Sequence, residues 1–389
     1  MASRRLARIA RQHTQQKIGS VCLPGRNTRG DRTRWRYSPL SVGPKRAGIT
    51  TPVGHKLDFF TKNWLPTMAQ IPSLLFLSDK TLKSLDITTS EVVESIERLI
   101  RGQAQSEVWS APKAAILPPD GRYMMASLSA ADDPPFLAVK AVILNPGNSE
   151  RGLPQINGLI TLLDSGTGLP VAVMDANWVT AVRTAAASAV AAKRMARPES
   201  SIMAFIGCGV QAHSHLHAFA DLFPLDEIRT FGRGSTNRDV LCKTARDMGF
   251  KGIASRTAKD ALEGADIVVT SVTLTAQIDP FLDARWLKPG AFISSTDLAV
   301  PWIREGMSAF DRIIIDDRKQ ESAMPNPMVE PSLISGDLPE LVNGDVQGRH
   351  SDEERTAFVF RAVVLGDLAL AGLAYQKARA VSQGLLIET

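Results

Sequence analysis

From residue 73 onward, short apolar runs alternate with turn-forming clusters, and the spacing of the apolar positions sorts the runs into strands and helices. Residues 73–78 (SLLFLS) read as a strand. Residues 88–102 set Val92, Val93, Ile96, Leu99 and Ile100 at helical spacing, with Thr89 or Ser90 as the expected N-cap. Further strands fall at 113–117, 122–127, 136–144 and 158–164. They are cut apart by Pro-Pro-Asp-Gly, Asp-Asp-Pro-Pro, Asn-Pro-Gly-Asn and Ser-Gly-Thr-Gly, all turn-forming sequences. This half predicts a mostly antiparallel sheet with one flanking helix. Residues 178–197 are then so rich in alanine that the helix they form can lie close to other backbones, until Pro198 stops it.

Between residues 201 and 317 the pattern changes to strict alternation of buried strand and helix. Strands are expected at 202–206, 228–231, 253–254, 267–271, 291–295 and 312–315, with helices at 210–221, 238–248 and 258–263. Alternation at this spacing implies parallel strands joined by right-handed crossovers, a doubly wound Rossmann sheet. An amphipathic helix over 355–380 is expected to return to the first domain. The domain reading is therefore 68–196 with 326–389 as one α+β domain, 197–325 as the Rossmann domain, and 1–67 as an extension.

The loop Gly207-Cys208-Gly209-Val210-Gln211-Ala212 follows the strand IMAFI and opens a helix, the context that gives a glycine pattern meaning. Gly207 permits the tight turn and Gly209 lets the backbone approach a pyrophosphate. Ala212 still allows close helix–strand packing. The helix N-terminus, with Val210 and Gln211, offers free N–H groups to phosphates. About 20–25 residues past such a loop an NAD site carries an acid for the ribose 2′-hydroxyl. Here that place holds Phe231-Gly232-Arg233-Gly234, and Arg233 suits a 2′-phosphate instead. NADP(H) is the expected cofactor, with NAD(H) as the alternative.

Charge is distributed unevenly. Residues 1–67 hold 14 Lys and Arg against only Asp31 and Asp58, leaving 31 basic residues against 38 acidic in the rest. An acidic body does not suit nucleic acid. The basic stretch reads as a disordered arm or an upstream extension, with an organelle transit peptide as the competing reading. No apolar run reaches the ~20 residues of a spanning helix, so no membrane partner is expected. Cys22, Cys208 and Cys242 are too few for a disulfide framework, which fits the cytoplasm. His213 and His217 are i, i+4 neighbours without an evident third ligand, and no metal is expected.

Several stretches resemble the ornithine cyclodeaminase/μ-crystallin family: LAVKAVILNPGN (137–148), residues 152–192, IGCGVQAHSHLHAF (206–219), GADIVVTSVT (264–273) and SSTDLAVP (294–301). The order of Lys, Arg-Thr, glycine loop and Asp is kept. The resemblance implies a homodimer whose first domain, completed by the C-terminal segment, binds substrate. It implies that Lys140 contacts the substrate carboxylate and takes part in proton transfer. Arg183 would stand between carboxylate and cofactor beside Thr184, and Asp297 would contact the substrate amine as the catalytic acid. Ser271, Val272 and Thr296 complete the implied cofactor contacts. Departures from the family pattern are Lys113 in place of an early substrate-binding arginine, and Leu-Ala-Val-Pro-Trp after Asp297 in place of Pro-Gly-Lys. Trp302 becomes a candidate pocket wall, and a late serine falls at about Phe360.

The implied activity is hydride transfer between a nicotinamide cofactor and the α-carbon of a small imino or amino acid. The alternatives are a cyclodeaminase using NAD+ without net redox change, and a non-catalytic NADPH-binding protein of the crystallin type.

Overall fold

The computed structural model describes residues 73–273 and 278–388; the expectations for residues 1–67 lie outside them. In chain order the first part comprises β1 (Leu74–Leu77), α1 (Asp79–Lys83), α2 (Thr89–Ala104), β2 (Val108–Ser110), β3 (Ala114–Ile116), β4 (Tyr123–Ala131), β5 (Phe136–Leu144), β6 (Ile156–Asp164), β7 (Pro170–Asp175) and α3 (Ala176–Met195). The second part comprises β8 (Ile202–Ile206), α4 (Val210–Ala220), β9 (Glu227–Phe231), α5 (Ser235–Asp247), β10 (Lys251–Ala254), α6 (Ala258–Leu262), β11 (Ile267–Thr270), β12 (Phe292–Ser295), β13 (Arg312–Ile315), α7 (Arg318–Ser322), β14 (Ile334–Asp337), α8 (Leu338–Asn343) and β15 (Thr356–Val359). The chain closes with α9 (Val364–Ala380) and β16 (Leu385–Ile387).

The first sheet runs β16-β1-β7-β6-β5-β4-β2, with β3 also on β4, and every pairing is antiparallel except β1 with β7. Alternation divides its faces. Ser127, Lys140, Ile160 and Met174 stand side by side across β4 to β7 on the inward face, where all four are buried. Three helices cover that face: α2, α3 and α9 pack on one another, and α3 and α9 reach the strands, α9 being the C-terminal helix expected to return here. Thr88, one residue earlier than expected, caps α2 in a reciprocal capping box with Glu91. The opposite face leaves Met124, Leu128, Val139 and Leu159 exposed.

The second sheet is all parallel, in the order β10-β9-β8-β11-β12-β15-β13-β14. Its order reverses between β8 and β11, the crevice where open α/β sheets bind ligands. Two expectations need correction. Residues 356–359 do not begin a helix: TAFV is wholly buried between β12 and β13, and the helix starts only at Val364. The sheet does not end with Arg312–Ile315 either, because β14 and β15, both beyond residue 326, extend it. A four-residue apolar run carries no period by which strand and helix differ, which is why β15 was read as helix.

Among the described residues, no helix is long and apolar enough to cross a membrane.

Candidate active site

Gly207 ends β8 at φ 91°, and a Cβ there would come within 2.6 Å of the Ser271 carbonyl oxygen. The turn therefore brings the end of β8 against the segment after β11, a placement only glycine permits. Gly209 has open space where its side chain would be and caps α4 without a side-chain bond, so the first N–H groups of the helix are left for a ligand. Ala212, fully buried, keeps α4 close to the sheet. A cavity of about 480 Å³ lies over this loop, lined by Gly207, Gly209, Arg233, Ser271 and Val272 among others. Thr236 and Asn237, in the first turn of α5, line the same end as Arg233. No acid stands there, and the exposed Arg233 has no hydrogen bond or ion pair to another described residue. The cavity fits a dinucleotide: a cradle at the helix N-terminus for pyrophosphate, and a free guanidinium beyond the second strand.

Asp297 follows β12 and is 1% exposed. Its Oδ1 accepts the Thr270 and Ser295 hydroxyls at 2.8 and 2.6 Å, and its Oδ2 accepts the Val272 N–H at 2.9 Å. Burial raises its pKa against the pull of these donors. Oδ1 thus ties the ends of β11 and β12 together, and Oδ2 fixes Val272 in the cavity floor. Thr296 donates its hydroxyl to the Thr270 carbonyl rather than lining the cavity.

A separate cluster of charge lies beneath α3 and α9. Lys140, on the inward face of β5, donates to Asp367 Oδ1 at 2.9 Å, and Arg183 Nε of α3 lies 3.0 Å from the same oxygen. Gly366 lets the two helices approach, since a Cβ there would meet the Arg183 side chain at 3.2 Å. Arg183 Nη1 is buried without a hydrogen bond. Lys113, just before β3, donates to the Ala362 carbonyl at 2.9 Å. Desolvation, reinforced by neighbouring cations, depresses both lysines to about 8. Asp367 is held below the usual carboxylate range by Arg183, Lys140 and Lys113, although burial alone would raise it.

Helix α3 links the cluster to the helix that follows the glycine loop. Thr184 sits beside Arg183 and donates its hydroxyl to the Thr180 carbonyl. One turn on, Ser188 hydrogen-bonds His215 of α4 at 2.8 Å and accepts from Ser294 of β12. Lys113, Lys140 and Arg183 are therefore brought together, while Asp297 has no bond to any of them.

A family model described as ornithine cyclodeaminase/mu-crystallin matches residues 76–382. The chain belongs to this family. It is 29% identical over 326 residues to an alanine dehydrogenase of Archaeoglobus fulgidus, covering 81% of this chain and 98% of that protein. It is 32% identical over 258 residues to the ketimine reductase mu-crystallin of Mus musculus, covering 65% and 79%. Among solved structures it resembles the Δ1-pyrroline-2-carboxylate reductase of Thermococcus litoralis in complex with NADH and L-proline. That match has a TM-score of 0.74 at 28% identity and covers 80% of this chain and 99% of the other. An archaeal alanine dehydrogenase dimer with bound NAD gives a TM-score of 0.72 at 28% identity, covering 81% and 99%. Both of these solved relatives hold a nicotinamide dinucleotide.

One expectation fails. Trp302 is no pocket wall: it is 1% exposed and packs edge-on against Phe310 in the core of the second sheet. Phe360 stacks on Phe358 and is equally enclosed. Sequence reasoning also missed Asp367 and Asp316. The first is visible as a single acid inside the otherwise apolar run VVLGDLALAGLA, the second as an acid ending the strand RIII.

Replacing Asp367 with Ala leaves Lys140 and Arg183 buried without their carboxylate. We expect a loss of about 3–5 kcal/mol of stability, read from urea unfolding monitored by tryptophan fluorescence. Because Lys113 and Lys140 release their protons near pH 8, a ligand held through its carboxylate should bind with a Kd that rises as pH passes upward through that value. A Kd flat from pH 6.5 to 9.5 would contradict this assignment.

Proposed function

We propose that this protein is an NADP(H)-dependent reductase or dehydrogenase that moves a hydride to or from the α-carbon of a small imino or amino acid. The observation that carries the reading is the set of three buried or half-buried cations, Lys113, Lys140 and Arg183, joined through α3 to the helix that opens at the dinucleotide loop. In an enclosed site such cations bind a carboxylate far more strongly than they would in water. Two or three of them fix the α-carbon in one place. Bound in the cavity, the nicotinamide supplies the hydride.

Lys140, with a pKa near 8, holds a proton at neutral pH that a developing amine nitrogen can take. Asp297 enters as a positioning residue that sets the cavity floor at Val272, which its Oδ2 holds through the backbone N–H. Arg233, unpaired beside Thr236 and Asn237, favours the phosphorylated cofactor. The relatives support the chemistry: one is a ketimine reductase, and one solved structure is a reductase holding NADH and L-proline.

We further propose a homodimer built on the exposed apolar face of the first sheet. A contiguous patch of this kind on a folded surface marks an interface, and a structural relative is a dimer. Two buried free thiols, Cys208 and Cys242, suit a reducing compartment such as the cytoplasm.

The decisive assay is NADPH oxidation with 2-oxo acids plus ammonia or methylamine, and with cyclic imino acids. Turnover is expected. Ammonia release from ornithine without accumulating reduced cofactor would instead favour a cyclodeaminase. Arg233→Ala should raise the Kd for NADPH at least about tenfold while leaving that for NADH within about twofold; equal effects on both would remove Arg233 from cofactor choice. Leu128→Glu combined with Val139→Glu should convert the dimer to monomer in sedimentation velocity; an unchanged dimer would move the interface elsewhere.

A further inference from the structure

The cations of the cluster outnumber its carboxylates. Lys113, Lys140 and Arg183 are set against Asp367 and Asp316, whereas the neighbouring Arg361 is matched by Glu321 at 2.6 Å. Asp316, immediately after β13, is 3% exposed. Its Oδ2 accepts the backbone N–H groups of Arg361 and Ala362 at 3.1 and 3.0 Å and the Gln320 amide at 3.3 Å, while its buried Oδ1 has no partner.

Asp316 and Lys113 grip the two ends of the same residue, the acid on the N–H of Ala362 and the lysine on its carbonyl. Ala362 sits at φ 156°, a backbone region that non-glycine residues enter only when their surroundings force it. The grip joins three parts of the fold: the end of β13, the link from β15 into α9, and the approach to β3. Among the charges around Lys113, that of Asp316 does most to keep its proton on, followed by Asp367, against Arg183 and Arg361.

We propose that this cluster is set to accept one further negative charge and that Asp316 fixes that number, so that the site takes acids with a single carboxylate and rejects dicarboxylates. A buried charge without a partner is costly, and so is one too many. One substrate carboxylate balances the third cation, whereas a second would enter with nothing left to match it. Discrimination thus comes from penalising the wrong ligand as well as from holding the right one. The inference rests on the reading of the cluster as an acid-binding site and adds the class of acid.

The test compares kcat/KM with NADPH and methylamine for pyruvate against oxaloacetate and 2-oxoglutarate. The wild-type protein should favour pyruvate by at least about tenfold; a preference for either dicarboxylate overturns the proposal. D316N keeps an acceptor for the two backbone N–H groups but removes the charge. It should lower the pyruvate-to-dicarboxylate ratio at least about tenfold, and K113Q added to D316N, which restores the count, should bring the ratio back up. A loss by D316N that is equal for both classes would mark Asp316 as structural only and overturn its role. NADPH affinity and thermal unfolding report whether each variant is folded. If D316N is not, K113Q alone decides: two cations against two carboxylates should lose pyruvate at least about tenfold, and unchanged pyruvate kinetics would overturn the proposal.

Absence of turnover with every acid would remove the hydride-transfer reading without touching this one. The charge rule is then read from quenching of bound NADPH fluorescence by pyruvate against oxaloacetate. Stronger binding of pyruvate supports it, and equal or weaker binding overturns it.

Discussion

Lys140 and Arg183 are carried into the interior by an inward strand position and by an alanine-rich helix, and neither could stay charged there without Asp367. A lone ammonium or guanidinium in such surroundings would cost several kcal/mol. Asp367 offsets that cost for both through one oxygen, Oδ1. Much of the local packing serves this contact. Gly366 brings α9 close to the Arg183 side chain, and Gly372, where a Cβ would meet the Phe136 ring at 3.1 Å, seats the same helix against β5. The carboxylate is shared unequally with the chemistry: it stabilises the cations in the resting protein but leaves Arg183 Nη1 unbonded and buried. A buried donor without an acceptor is a standing free-energy cost that a bound carboxylate would relieve.

The dinucleotide half of the molecule was the more legible in the sequence because its signals are local. A buried strand, a glycine turn and a helix N-terminus lie within 14 residues of one another, Ile202 to His215, and each constrains the next. Lys140 and Arg183 were found through the resemblance, and Lys113 through a departure from it. What stayed hidden was non-local. Asp367 is 227 positions from the lysine it pairs with, and no periodicity reports such a contact. Strand β15 looked like the first turn of a helix because its four residues are all buried on both faces, which erases the alternation that marks a half-buried strand. Asp297 sits where an acid at the C-terminal end of a strand should meet a ligand. Its neighbours Thr270 and Ser295 donate their hydroxyls to Oδ1 and the Val272 N–H donates to Oδ2, contacts beyond the reach of a linear pattern.

The two sites are joined by small polar bonds rather than by a continuous groove of charge. Ser188 on α3 meets both His215 of the helix behind the glycine loop and Ser294 of β12, all three of them fully buried. His215 is depressed to about 4 by complete burial, so it stays neutral across the physiological range and the link carries no charge. A satisfied, uncharged network in a dry interior is rigid. It gives α3 a fixed height against the cofactor sheet, and with it the height of Arg183.

The path of the last thirty-odd described residues has a consequence for how the chain reaches this state. Strand β15 enters the second sheet between two strands made earlier, α9 then covers the first sheet, and β16 pairs with β1 at the far end of the sequence. The second sheet cannot become continuous until this segment arrives, and the first gains its last edge strand and a covering helix from it. On the ribosome, the facing edges of β12 and β13 stay unpaired until β15 has emerged. Contacts of such sequence separation slow folding and lengthen the time that unpaired edges are available to other chains. The same threading that brings Asp367 beneath the cations therefore leaves strand edges open to other chains during synthesis.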